Sequence, residues 1–139
     1  MKLDVWDQIT ALFYGIENQL TEELRRSSDL GLSEFRTLKH LSEQPDLELR
    51  MQELAEFLML TQSSTTRVVE RLEKRGFVFR DSCPSDKRGK YCVLNEHGKK
   101  YIEEAAPVFQ DCLERVLKKT FEQKEAREAA RALCVLTGA

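Results

Sequence analysis

Apolar residues return every three or four positions between residues 3 and 27, at Val5, Trp6, Ile9, Phe13, Ile16, Leu20 and Leu24. That period predicts one long amphipathic helix. A second helix is expected over about Ser33 to Glu43, with Ser33 as its N-cap and Phe35, Leu38 and Leu41 inward. Gln44-Pro45-Asp46 ends it. Leu47 to Arg50 suits a short strand. Met51 to Leu58 reads as a third helix with Leu54, Ala55 and Leu58 buried, and a turn at Met59 to Thr61 leads to a fourth, Gln62 to Arg75, stopped by Gly76. Thr65, Val68, Val69 and Leu72 share one face of that fourth helix. Two β-type runs follow, Phe77 to Arg80 and Lys90 to Leu94, around a charged loop from Asp81 to Gly89. Asn95 is placed to cap a long helix from Glu96 to about Lys119, striped by Ile102, Ala105, Ala106, Phe109, Leu113, Val116 and Leu117. Pro107 falls inside it and should kink it, because proline lacks the N–H donor and crowds the preceding turn. A last helix is expected from about Glu122 to Leu136, with Ala126, Ala129, Ala130, Leu133 and Leu136 on one face.

Helix, turn, helix and a hairpin, in that order, make a winged helix-turn-helix. The expected fold class is therefore mainly α with a small β-hairpin wing. Residues 31–99 form the winged lobe of a single domain spanning 1–139, and residues 1–30 and 100–139 supply terminal helices. Those terminal helices carry more apolar stripe than one small lobe needs. Pairing with a second copy would cover it, giving a homodimer, whereas one larger monomeric helical domain is the plainer alternative.

Charge sharpens the picture. The net charge of −2 hides a segregation. From Thr61 to Lys100 ten basic residues face five acidic ones, a net of +5, and the remainder carries −7. A phosphate-facing surface on an acidic body is one reading, and ordinary solvated helix faces the other. Asp4 and Asp7 interrupt any apolar core of a signal peptide, and no apolar run approaches the roughly 20 residues of a membrane span. A cytoplasmic protein is expected. Cys83, Cys92, Cys112 and Cys134 show no C-x-x-C pairing, and His40 and His97 are the only imidazoles. Neither a metal site nor another cofactor is implied. Cys83 lies closest to basic residues, which would favour a thiolate and leaves a redox-responsive role open.

On the fourth helix the inward set leaves Gln62, Ser63, Ser64, Thr66, Arg67, Glu70 and Arg71 toward solvent. Gln62 suits adenine and Arg67 suits guanine, each by two hydrogen bonds in a major groove. Ser63, Ser64 and Thr66 are short enough to let a helix approach, although one residue of Thr61 to Ser64 is needed as N-cap. Arg71 and Lys74 suit phosphate. In the loop, Lys87, Arg88 and Lys90 suit a minor groove or backbone, and Asp86 either orients an arginine or merely shapes the turn.

Here the chain resembles a known family. Glu53-Leu54-Ala55, the run from Thr65 through Arg71-Leu72-Glu73-Lys74-Arg75-Gly76-Phe77-Val78, Asp86-Lys87-Arg88-Gly89 and Leu94-Asn95-Glu96-His97-Gly98 are similar to the MarR family of bacterial transcription regulators. The family's D-x-R wing motif falls on Asp86 and Arg88, and its L-T-x-x-G is L-N-E-H-G here. The resemblance implies a homodimer on a pseudo-palindromic DNA operator, usually a repressor. It also implies release by small aromatic or phenolic compounds held between dimerisation helices and winged lobe. Phe13, Tyr14, Phe35, His40, Tyr101 and Phe109 are candidates to line such a pocket, or are simply core. Members that sense oxidants use a cysteine near the N-terminus, and no cysteine precedes Cys83 here.

No glycine-rich phosphate loop, nucleophile–base pair or metal cluster supports an enzyme. A winged-helix protein–protein interaction module stays open, because the fold does not dictate DNA binding.

Overall fold

Gly31, not Ser33, is the N-cap of the second helix. The computed structural model describes residues 2–82 and 90–138, and places six helices and three strands among them. These are α1 (Lys2–Ser27), α2 (Leu32–Ser42), β1 (Glu48–Arg50), α3 (Met51–Leu58), α4 (Gln62–Lys74), β2 (Val78–Ser82), β3 (Lys90–Leu94), α5 (Glu96–Thr120) and α6 (Lys124–Thr137). None of the described helices is long and apolar enough to cross a membrane. The chain divides into two compact units, residues 30–107 and residues 1–29 with 108–139. α5 contributes to both, and stays one helix through Pro107, where the division falls.

The unit of residues 30–107 is built on α2, α3 and α4 around Leu38, Leu41, Leu54, Val69 and Leu72, all fully buried. Ser33 does not cap α2, because the Glu34 carboxylate reaches back and accepts the Gly31 N–H at 3.0 Å. The same device starts α3, where Glu53 accepts the Arg50 N–H at 3.2 Å. Met59 ends α3 in the left-handed region at φ 55°, and the Leu60 N–H closes on the Ala55 carbonyl. The turn between α3 and α4 is thus set by one residue's dihedral.

Gly76 closes α4 with φ 76°, and the Phe77 N–H returns to the Leu72 carbonyl. Phe77 belongs to that closure, so β2 starts at Val78 and not at Phe77. Asp81 and Ser82, expected in the loop, pair with Tyr91 and Lys90 in the ladder. The sheet is antiparallel with order β1-β3-β2, and Leu49 and Arg80 flank Cys92 from either side. Asn95 fastens three elements. Its side chain accepts the Gly98 N–H at 2.8 Å to cap α5 and donates to the Gly76 carbonyl at 2.7 Å, while its N–H bonds the Phe77 carbonyl at 3.1 Å.

In the other unit, Leu20, Cys112 and Val116 form a small core with Ile16, Phe109 and Leu113 against it. α1 packs along α6, where buried Ala126 and Ala129 let the backbones approach. α6 starts at Lys124, two residues after the expected Glu122, because Phe121 and Glu122 close the end of α5 in a turn and Gln123 is the cap. Not all of the α1 stripe is core. Trp6 is 68 % and Phe13 58 % exposed, and Leu3, Tyr14, Val108, Val135 and Leu136 are exposed with them.

Candidate nucleic-acid interface

α4 is held from beneath by Thr65, Val68, Val69 and Leu72, each nearly or fully buried. These are the four inward positions the period marks. The buried Thr65 hydroxyl is satisfied by the Thr61 carbonyl at 2.9 Å, so it costs the core little. Anchored in this way, α4 presents Gln62, Ser63, Arg67, Glu70, Arg71 and Lys74 to solvent, with Ser64 and Thr66 partly buried. Thr61 is the N-cap: its hydroxyl oxygen accepts the Ser64 N–H at 3.1 Å and donates to the Ser64 hydroxyl at 3.0 Å. The Ser63 hydroxyl lies 3.2 Å from it. Thr66 donates to the Gln62 carbonyl at 2.9 Å, which leaves its methyl and oxygen lone pairs for a partner. Gln62 and Arg67 have no side-chain partner among the described residues.

Two ion pairs brace the far half of α4. Arg71 pairs through Nε with Glu34 of α2. Glu73 pairs with Arg80 of β2 at 2.8 Å, joining helix to sheet. Lys90 is exposed at the start of β3, opposite Ser82. Asp86, Lys87 and Arg88 lie outside the described residues, as does Cys83.

The structure adds residues that local pattern does not reveal. Arg50 donates from Nε to the Tyr91 hydroxyl at 3.1 Å, and β1–β3 pairing sets the two opposite each other. Arg36 lies over the Phe57 ring at 4.8 Å, and His40 stacks on the same ring at 3.7 Å. A strand register or a helix–helix contact is needed to see either cluster. Only Glu34 left a readable trace, as the carboxylate three residues after a helix start.

The six candidate pocket residues are shared between the two units. Phe35 is core and His40 and Tyr101 are engaged in stacks on Phe57 and Phe77, all in the unit of residues 30–107. Phe109 packs on the Leu20 core, and Phe13 and Tyr14 are exposed on α1, edge to face at 5.8 Å. A cavity of about 210 Å³ lies between α1 and the start of α6, lined by Gln8, Leu12, Gly15, Thr120, Gln123 and Ala126 among others, and none of the six reaches it.

Burial pushes the Cys92 thiol up to about 12, with Glu73 adding to the effect. Burial likewise raises Cys112. Neither is a ready thiolate. Native protein treated with iodoacetamide at mildly alkaline pH should leave Cys92 unlabelled, and mass spectrometry of the digest checks this. Labelling of Cys92 at the rate of exposed Cys134 would show that the sheet opens readily.

The MarR family model matches residues 30–90. Over the whole fold the chain is similar to a MarR family transcriptional regulator of Streptomyces coelicolor, Sco3205, solved in complex with DNA. Identity is 29 %, covering 96 % of this chain and 83 % of that one, with a TM-score of 0.77. AbsC, a MarR family regulator of the same organism, aligns at 26 % identity and a TM-score of 0.76, covering 96 % and 89 %. Among curated proteins, the Bacillus subtilis HTH-type transcriptional regulator YkoM is 32 % identical over 59 residues, 42 % of this chain and 38 % of that protein. The transcriptional repressor MprA of Escherichia coli is 25 % identical over 130 residues, 90 % of this chain and 74 % of MprA.

Proposed function

We propose that this chain is a transcriptional regulator of the MarR family that binds a pseudo-palindromic DNA operator as a homodimer and represses transcription there until a small effector releases it. The members it resembles are regulators, not enzymes. The observation that carries the reading is α4. Four buried side chains fix its inner face, and an uncommitted Gln62 and Arg67 stand on its outer face with small hydroxyl residues between them. That is what insertion into a major groove requires. The basic side chains around the wing, Lys90 with Lys87 and Arg88, then track the flanking backbone or minor groove, Asp86 orienting Arg88. The DNA-bound Streptomyces relative and the repressor MprA support the same conclusion.

Dimerisation rests on the apolar side chains the helical unit leaves in water, Trp6, Phe13, Val135 and Leu136 among them. A two-fold dimer matches a two-fold operator. The effector, a small aromatic or phenolic molecule, rests on family likeness, with Phe13, Tyr14, Phe35, His40, Tyr101 and Phe109 as proposed contacts. The compartment that fits this role is the cytoplasm.

Selection of bound sequences from a random duplex pool tests the reading directly. A palindromic motif with half-sites about one helical turn apart is the expected outcome. Enrichment of nothing, with binding to protein partners instead, would replace DNA recognition by an interaction role. On the selected operator, Arg67→Ala should weaken binding by about 1–3 kcal/mol and relax one base position. Lys74→Ala should weaken all duplexes about equally and lower the salt slope by about 1. An Arg67→Ala protein with unchanged affinity and motif would put the reading face elsewhere.

A further inference from the structure

We infer that Glu34 is a positioning residue for DNA binding, holding Arg71 so that the outer edge of its guanidinium is preset to meet a phosphate. The inference deepens the proposed function and rests on it. Glu34 is buried, its side chain only 10 % exposed. One of its oxygens accepts the Gly31 N–H at the start of α2. The other accepts from Nε of Arg71, in the last turns of α4. The carboxylate is therefore fixed at both oxygens before any ligand arrives.

The arginine is held at one edge only. Its side chain is 54 % exposed, and Nε is the donor that Glu34 takes. A guanidinium has five N–H donors in a rigid plane, so fixing Nε fixes the direction of the Nη groups as well. Those groups remain to donate outward, on the same helix as Gln62 and Arg67. A free arginine loses rotamer entropy when it grips a phosphate, and one already pinned loses far less. Lysine has no such rigid fork.

The sign of the effect separates this role from simple electrostatics. Glu34 carries a negative charge near the surface that meets DNA. By Coulomb's law alone, Glu34→Gln should tighten binding at low salt. As a positioning residue its loss should weaken binding. The glutamine still offers an oxygen to the Gly31 N–H, so the start of α2 is kept.

The test uses the full-length protein and a random-sequence duplex, with the selected operator as a second probe. Wild type, Glu34→Gln, Arg71→Ala and the double variant are titrated, each with a melting curve. Glu34→Gln should weaken binding about fivefold, from the entropy of an unpinned arginine. Arg71→Ala should lower the salt slope by about 1. In the Arg71→Ala background, Glu34→Gln should change nothing further. Tighter or unchanged binding by Glu34→Gln overturns the inference. So does an equal loss with and without Arg71, which would make Glu34 merely structural. If Glu34→Gln does not fold, Arg71→Lys decides: it keeps the charge, should bind about fivefold more weakly, and overturns the inference if it matches wild type. Failure of the wild type to bind any duplex would instead remove the proposed function, and this inference with it.

Discussion

Gly98→Ala should destabilise the protein by about 3 kcal/mol, lowering its melting temperature by roughly 10 °C. Helix propensity alone argues the opposite, since alanine is favoured over glycine inside a helix by about 1 kcal/mol. Space decides the sign. A Cβ at position 98 would stand 2.2 Å from the Phe77 carbonyl oxygen, 3.0 Å from its carbon and 2.7 Å from Cδ1 of Leu94. The leucine could turn aside, but the carbonyl is backbone. It also accepts the Asn95 N–H, next to the side chain that caps α5. Moving it pulls at the end of α4, the end of β3 and the start of α5 together. Thermal unfolding at fixed protein concentration checks this, because the midpoint of any self-associating protein depends on concentration. A melting temperature equal to or above wild type would show that α5 can slide away from Phe77 at little cost.

Leu72→Ala should cost about 2–5 kcal/mol, the range for emptying a fully buried leucine site. Leu72 is 0 % exposed, on the inner face of α4. Its carbonyl also receives the Phe77 N–H that closes the helix, so the emptied site cannot easily collapse. Lys74→Ala, two residues on and exposed, should change stability by no more than about 0.5 kcal/mol. Denaturant titration of both separates them. A loss below about 1 kcal/mol for Leu72→Ala would mean that the space beneath α4 refills.

The inner face of α4 was legible because it obeys a single period. Thr65, Val68, Val69 and Leu72 sit at the helical spacing, and no distant residue is needed to pick them out. The cap at Asn95 was legible for the same local reason. Ser33 misled because a good capping residue stands two positions inside the true start, where Glu34 already serves Gly31. β2 starts one residue later than expected because Phe77 suits a strand by type but completes the exit from α4. The pairing of Glu34 with Arg71 joins residues 37 apart and appears only when α2 lies against α4. The aromatic residues were the least legible. Phe35, His40 and Tyr101 look alike as stripe members, yet one is core and two are stacked on Phe57 and Phe77.

The sides of α4 divide labour by residue, and this bears on how such a protein changes over generations. The positions that hold the helix to the molecule are 65, 68, 69 and 72, and those open to a partner include 62, 63 and 67. Arg71 is the exception on this helix, because it braces α4 through Glu34 and is also exposed. Substitutions in the second set leave the packing beneath intact, so they arise without a stability penalty for selection to purge. If the proposed reading face is right, target preference can then drift one position at a time while the scaffold stays recognisable. A lineage of duplicated copies can part company in what each one controls long before it parts company in shape.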